Sequence, residues 1–408
     1  MSVTAPRGFT AAGLTAGLKP SGKKDLALVV NTGPDDAVAA VYTSNRCKAN
    51  PVLWSEKASA NGRARAVVLN SGGANCYTGD FGYETTTLTA ETTANLLSDS
   101  AQEGDPSGDA AQADRSTHSI AAEDILVCST GLIGVGGQDF RDRIIDNLSG
   151  LVAAATADDT GGADAAEAIM TTDTVAKTSV RTGAGGYTVG GMAKGAGMLA
   201  PGLATMLVVI TTDAKVDAPG LDAALRGATS QSFDRLDTDG CMSTNDTVIL
   251  MGSGASEVTP DADEFAAVVK EVCLDLMHQL HVDAEGAHHD IAITTQGAVS
   301  EEDAVMVSRS VGRSNLFKAA IFGEDPNWGR VVAQVGTTSA AFDPANIDVT
   351  INGVRVCKAS GPDADPELVT FERTVDVVID LHAGDASATV WTSDLTHDYV
   401  EENSAYST

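Results

Sequence analysis

Short runs of β-favouring residues alternate with stretches of helical periodicity along most of this chain, and that alternation confines it to a mixed α/β class. Strands are expected at Leu26–Val30, Val38–Tyr42, Ala66–Leu69 and Ile125–Cys128. Helices are expected at Glu84–Leu97 and Phe140–Leu148. Phe265, Val268, Val269, Val272, Leu276 and Leu280 recur at helical spacing and predict an amphipathic helix over Asp263–Leu280. Ile347, Val349 and Ile351 alternate, Asn352-Gly353 turns the chain, and Val354–Val356 returns as a hairpin partner. Val375, Val377, Ile379 and Leu381 mark one more strand. No repeat with a period of 20–50 residues is visible.

The 408 residues set a length prior of two or three domains. With 43% hydrophobic but only 4% aromatic residues, the core must be built mainly from Ala, Val, Leu and Ile. Residues 98–124 combine seven acids with one Arg among Gly, Pro and Ser, the composition of a solvated surface loop.

Charge excludes further classes. The net charge is −30, which repels phosphate backbones and anionic membranes, so neither nucleic acid nor a membrane is expected as partner. Residues 1–204 carry 15 basic and 22 acidic residues, net −7; residues 205–408 carry 11 and 34, net −23. Adaptation to high salt and ordinary acidic solubility both fit this excess. The six cysteines form no CxxC pair, and reduced thiols in a cytoplasmic setting are expected. The seven histidines form no HxxxH or HExxH, so no metal site is expected. No basic-then-apolar N-terminal signal is apparent, and Met198–Ile210 is too short and broken to span a bilayer.

The chemistry concentrates in GGMAKGAGMLAPGLATMLVVITTDA, Gly190 to Ala214. Read locally, this is a glycine turn feeding a buried strand, with Thr205 as a β-branched filler. A second reading is chemical. A Thr after a small residue can attack its own preceding carbonyl, and hydrolysis of the ester then frees a new N-terminal Thr. Its α-amine, with a pKa of about 8, serves as base for its own hydroxyl. Ala204 leaves room for that attack on the Ala204–Thr205 bond, and Lys194 supplies a nearby cation.

Lys194, Gly195, Gly197, Met198, Ala200, Pro201, Ala204, Thr205, Met206 and Leu207 stand in the order of the self-cleavage signature of the ornithine acetyltransferases (glutamate N-acetyltransferases) of arginine biosynthesis. The chain resembles that family across almost its whole length. Ala5–Lys19 is similar to its opening, and Asn70–Asn75 to its NSGxAN block. Cys128–Gly134 resembles STGxIG, Ile169–Thr174 IMTTDT, and Asp239–Thr247 DG..STNDT. Asp283–Gly286 and Glu324–Arg330 match two more blocks, the second structural through Trp328 and Arg330. His288-His289 depart from the family pattern and read as surface residues.

The resemblance implies layered sheets with flanking helices, superficially similar to N-terminal nucleophile hydrolases. It implies cleavage at Ala204–Thr205 into chains 1–204 and 205–408 that stay in one intertwined unit and assemble as an α2β2 heterotetramer. Thr205 becomes the nucleophile, and Thr130 and Gly131 the oxyanion hole. Thr171, Lys194, Thr205, Glu285, Asn403 and Thr408 become substrate contacts. The implied reaction moves an acetyl group from N2-acetyl-L-ornithine to L-glutamate through an acetyl-Thr205 ester, without metal or organic cofactor. Three alternatives remain open at this point: a bifunctional enzyme that also uses acetyl-CoA, an N-terminal-Thr amidohydrolase or aminopeptidase, and an uncleaved, non-catalytic protein.

Overall fold

The structure is a computed structural model that describes residues 2–103, 120–199 and 206–405. Its strands are β1 (Phe9–Leu14), β2 (Leu26–Asn31), β3 (Ala37–Tyr42), β4 (Ala66–Asn70), β5 (Ile125–Ser129), β6 (Lys177–Thr182), β7 (Thr188–Lys194) and β8 (Leu207–Thr212). They continue with β9 (Thr247–Gly252), β10 (Asp290–Ala298), β11 (Asp348–Ile351), β12 (Val354–Lys358), β13 (Gly361–Pro362), β14 (Thr374–Asp380) and β15 (Ala386–Ser393).

Among the described residues these strands form three mixed sheets. Their orders are β1-β2-β4-β5, β3-β9-β8-β7-β6 and β13-β12-β11-β14-β10-β15. Each has one parallel pair, β4–β5, β8–β9 and β10–β14 respectively. A parallel pair needs a crossover, and the helices Gly79–Glu103 and Ala218–Ser230 lie within the first two.

The first two sheets are buried on both faces, which is why their strands read as continuous apolar runs. Along β8, Leu207 and Val209 belong to a core shared with the four-stranded sheet and the helices Gly79–Glu103 and Gln138–Ala153. Val208 and Ile210 point the other way, into a second core with Ala218–Ser230 and Ala262–Val282. The layers therefore run helix, sheet, sheet, helix. The expected mixed α/β class with layered sheets and flanking helices is the observed one.

The third sheet buries one face. Val375, Val377 and Ile379 of β14 pack with Ala304, Val307 and Val311 of the helix Glu301–Gly312, while Asp376 faces away. The hairpin reads as expected: Asn352 and Gly353 adopt φ of 45° and 80°, the conformation of a two-residue turn joining β11 to β12. The amphipathic helix spans Ala262–Val282, and the Asp261 carboxylate caps it by accepting from the amides of Asp263 and Glu264. Such a cap contributes about 1 kcal/mol.

Two expectations need correction. The surface loop over 98–124 is too broad. The helix Gly79–Glu103 runs through 98–103, since Ser98 and Ser100 return their hydroxyls to the carbonyls of Ala94 and Leu96. A short helical turn then forms at Ala122–Asp124, while 104–119 lie outside the described residues. His289 is not a surface residue. It is buried, and its Nδ1 meets the Asp394 carboxylate at 2.8 Å. His288 is exposed as expected.

Candidate active site

Three strand ends converge at one edge of the two stacked sheets. Strand β5 delivers Thr130 and Gly131, β7 ends on Lys194, and β9 begins after Asp246. In the β7–β8 ladder Lys194 pairs with Leu207, so the connection between them starts and finishes at this edge. Ala204 and Thr205 lie in that connection, outside the described residues; Thr408, the last residue, is also outside them. Met206, covalently next to Thr205, is fully buried.

The Thr130–Gly131 turn is rigidly held. Asn245 Nδ2 donates to the carbonyls of Ala74 (2.7 Å) and Ser129 (2.8 Å), and the Thr130 amide donates to Asn70 O at 2.9 Å. Gly131 adopts φ 128°, and a Cβ there would lie 2.6 Å from Gly73 N. Only glycine meets both conditions. The NSGxAN, STGxIG and STNDT blocks thus brace one another.

Lys194 is fully buried, and its Nζ donates to Thr130 Oγ1 at 3.3 Å. Burial lowers its pKa, while Asp173, Asp246 and Glu285 pull the other way. Asp173 is the hub beneath it. Asp173 Oδ1 accepts from Gly195 N at 2.7 Å, and Oδ2 from Thr171 N at 2.9 Å. Lys177 Nζ bridges Asp173 (2.7 Å) and Asp283 (2.6 Å). Burial alone would raise the Asp173 carboxyl, but Lys194 and Lys177 outweigh it and hold it below the usual carboxylate range.

Glu285 enters from the turn after Ala262–Val282. Its amide donates to Ala196 O at 3.0 Å, and a Cβ on Gly197 would strike Glu285 Oε2 at 2.3 Å. That close approach seats the carboxylate against the loop following Lys194. Asn403, on the C-terminal helix His397–Ala405, donates from Nδ2 to Glu285 Oε2 at 3.1 Å. The structure therefore links Thr130, Thr171, Lys194, Glu285 and Asn403 in one connected network beside Gly131.

Sequence reasoning gave no role to Asp173, Lys177 and Asp246. The available signal was an acid inside each of two motif blocks, with Lys177 four residues after the first. Asp246 is fully buried, its Oδ1 accepts from Met206 N at 3.0 Å, and its Oδ2 has no hydrogen-bond partner. Burial drives this carboxyl well above the usual carboxylate range, against the pull of Met206 N–H, Ser243 and Lys194. A raised acid holds a proton that the unfolded chain releases above its pKa of about 3.9. Stability is therefore lost as pH rises from there toward the folded-state pKa. Asp246→Asn keeps the acceptor for Met206 and removes the titration. Its Tm relative to wild type should rise between pH 4 and pH 8; a difference flat with pH would show that Asp246 is not buried as a neutral acid.

A polarised hydroxyl, a glycine turn and a buried cation around the edge where β8 begins, just after Met206, suit acyl transfer through a hydroxyl nucleophile. Fold and site together define an acyltransferase on a layered α/β frame. Comparison with known proteins gives the family. The profile of the ArgJ family matches residues 10–408. The "Arginine biosynthesis bifunctional protein ArgJ" of Streptomyces coelicolor is 56% identical over 408 residues, covering 100% of both chains. Its namesake from Thermobifida fusca is 56% identical over 409 residues, again covering 100% of each. Among solved structures, ornithine acetyltransferase from Mycobacterium tuberculosis, complexed with ornithine, is 47% identical. The match covers 49% of this chain and 94% of that one, with a TM-score of 0.44. The chain belongs to the ArgJ family.

Proposed function

We propose that the chain transfers an acetyl group from N2-acetyl-L-ornithine to L-glutamate in arginine biosynthesis, after cutting itself between Ala204 and Thr205. The observation that carries this reading is the Lys194–Thr130 hydrogen bond at the strand edge where β7 pairs with β8. In the first half-reaction Thr205 Oγ attacks the acetyl carbonyl and passes its proton to the α-amine of the same residue. Thr130 and Gly131 stabilise the tetrahedral oxyanion. The amide C–N bond breaks, the amine returns the proton to the departing nitrogen, and ornithine leaves. Glutamate's α-amine then attacks the acetyl-Thr205 ester and gives a proton to the Thr205 α-amine; the ester C–O bond breaks and that proton restores the Thr205 hydroxyl. Lys194 holds the substrate α-carboxylate. Glu285 receives the ornithine side-chain ammonium, with Asn403, Thr171 and Thr408 lining the same pocket.

No metal or organic cofactor enters this scheme. The word "bifunctional" in the relatives' name favours a second activity, and acetyl-CoA is the second acetyl donor we infer. Chains 1–204 and 205–408 remain one unit. In support, β3, β6 and β7 share a sheet with β8 and β9, so separating the chains would open a buried sheet. We infer an α2β2 heterotetramer working in the cytoplasm; among the described residues no helix is long and apolar enough to cross a membrane.

Intact-mass spectrometry tests the maturation step. Two species near half of 41.7 kDa, one beginning Thr-Met-Leu, are expected. Acetylornithine with glutamate should then give acetylglutamate. Release of acetate without glutamate would instead identify a hydrolase. Acetylglutamate formed from acetyl-CoA would establish the second activity.

A further inference from the structure

A cleft on the described surface lies away from the proposed acyl-transfer site, between the Phe233–Arg235 turn and one face of the helix Glu301–Gly312. Its volume is about 710 Å³, the size of a metabolite pocket. Its walls are unusual for this molecule. Residues 205–408 carry only 11 basic side chains among 34 acidic ones, yet Arg235, Arg309 and Arg313 all converge on this cleft.

The nearby acids do not saturate them. Arg235 pairs with Glu301. Arg313 Nε donates to Asp237 Oδ2 at 2.7 Å. Arg309 lies 3.8 Å from that same carboxylate oxygen, too far for a hydrogen bond. Arg309 Nη2 donates to Asp234 O at 2.8 Å, whereas its Nε is buried without a hydrogen-bond partner. Asp237 thus faces two guanidiniums, Asp234 also acts on Arg309, and Glu301 and Glu302 share the lining, yet none of these carboxylates hydrogen-bonds Arg309 Nε. Val305 and Met306 add an apolar wall beside the charge.

We propose that this cleft is a second small-molecule site, taking an anion whose carboxylate or phosphate oxygens bind the Arg309 guanidinium while its apolar part rests on Val305 and Met306. A guanidinium fork accepts either oxyanion in the same bidentate geometry. The cleft also has a physical route to the acyl-transfer site. Asp237 is followed by Thr238, whose amide donates to Leu199 O at 2.6 Å. Asp239 Oδ2 then accepts from Met198 N at 2.6 Å. A ligand competing with Asp237 for Arg309 and Arg313 therefore acts on the segment gripping the loop after Lys194.

Calorimetric titration of the purified full protein with citrate and, separately, with pyrophosphate tests the site. Saturable binding of at least one is expected, the arm that binds distinguishing carboxylate from phosphate. Arg309→Gln should weaken it at least about tenfold, the loss of a charge-assisted hydrogen bond. Met306→Trp should block the cleft while leaving acetyl transfer without ligand unchanged. No binding of either probe, or binding that survives both substitutions, overturns the site. The kinetic arm rests on the proposed acetyl transfer: the bound anion should shift KM about fivefold, within the usual range of coupling between sites. Binding that leaves KM and kcat unchanged overturns the coupling. Failure of acetyl transfer itself would leave the calorimetric result intact, so the two readings fail separately.

Discussion

Thr205→Ala should yield a single 41.7 kDa chain with no acetyl transfer. The expected loss is at least about 10⁴-fold, because in the proposed mechanism one residue supplies the attacking hydroxyl and, once freed, the amine that deprotonates it. Both functions vanish together: alanine has no hydroxyl to start the N→O shift, so the amine never forms. The pairing of mass and rate is the discriminating readout. A cleaved Thr205→Ala protein would remove the self-cleavage mechanism, and an uncleaved but active one would remove the nucleophile assignment. The folded frame should persist, since β7 and β8 are held by their own ladder on either side of the connection.

Thr130→Ala should lower kcat about 10²–10³-fold with little change in KM, the behaviour of a lost oxyanion donor. The geometry explains why the hydroxyl suits this task. Lys194 Nζ donates to Thr130 Oγ1, which occupies an acceptor lone pair and leaves the hydroxyl hydrogen to point at the developing oxyanion. A donor polarised by a buried ammonium is stronger than an isolated hydroxyl. Thr130→Ser keeps that hydroxyl and should retain most of the rate. The turn itself should survive the alanine change, because Thr130 is fixed by backbone bonds to Asn70 and Gly73. An equal loss of kcat in the serine variant would point to disturbed packing rather than a missing donor.

Much of the fold was legible because burial leaves a mark on composition. The expected strands at Leu26, Val38, Ala66 and Ile125 all form, since strands covered on both faces must be apolar throughout. The Asn352-Gly353 turn was equally plain, because few other dipeptides tolerate two positive φ values in succession. The helix past Leu97 was missed. Its last turns carry Ser and Asp, residues of a solvated loop by composition, yet the serine hydroxyls close onto backbone carbonyls within the helix. His289 was missed for a similar reason, as its partner Asp394 lies 105 residues away.

The sequence by itself determined the family and the residues that match its blocks, the Lys194–Leu207 run among them, because these are local strings that survive without coordinates. It also determined the alternation that forces a mixed α/β class. Only the tertiary structure decided how the blocks meet. Asp173 binds Gly195, Thr171 and Lys177 at once, and Asn245 ties two carbonyls from separate blocks together. Such contacts join residues far apart in the chain, and their strength depends on burial, which removes water as a competing partner. The arginine cleft is the same kind of fact. Arg235, Arg309 and Arg313 are scattered in an acidic sequence, and only the packing of the Glu301–Gly312 helix against the Phe233–Arg235 turn brings their charges onto one surface.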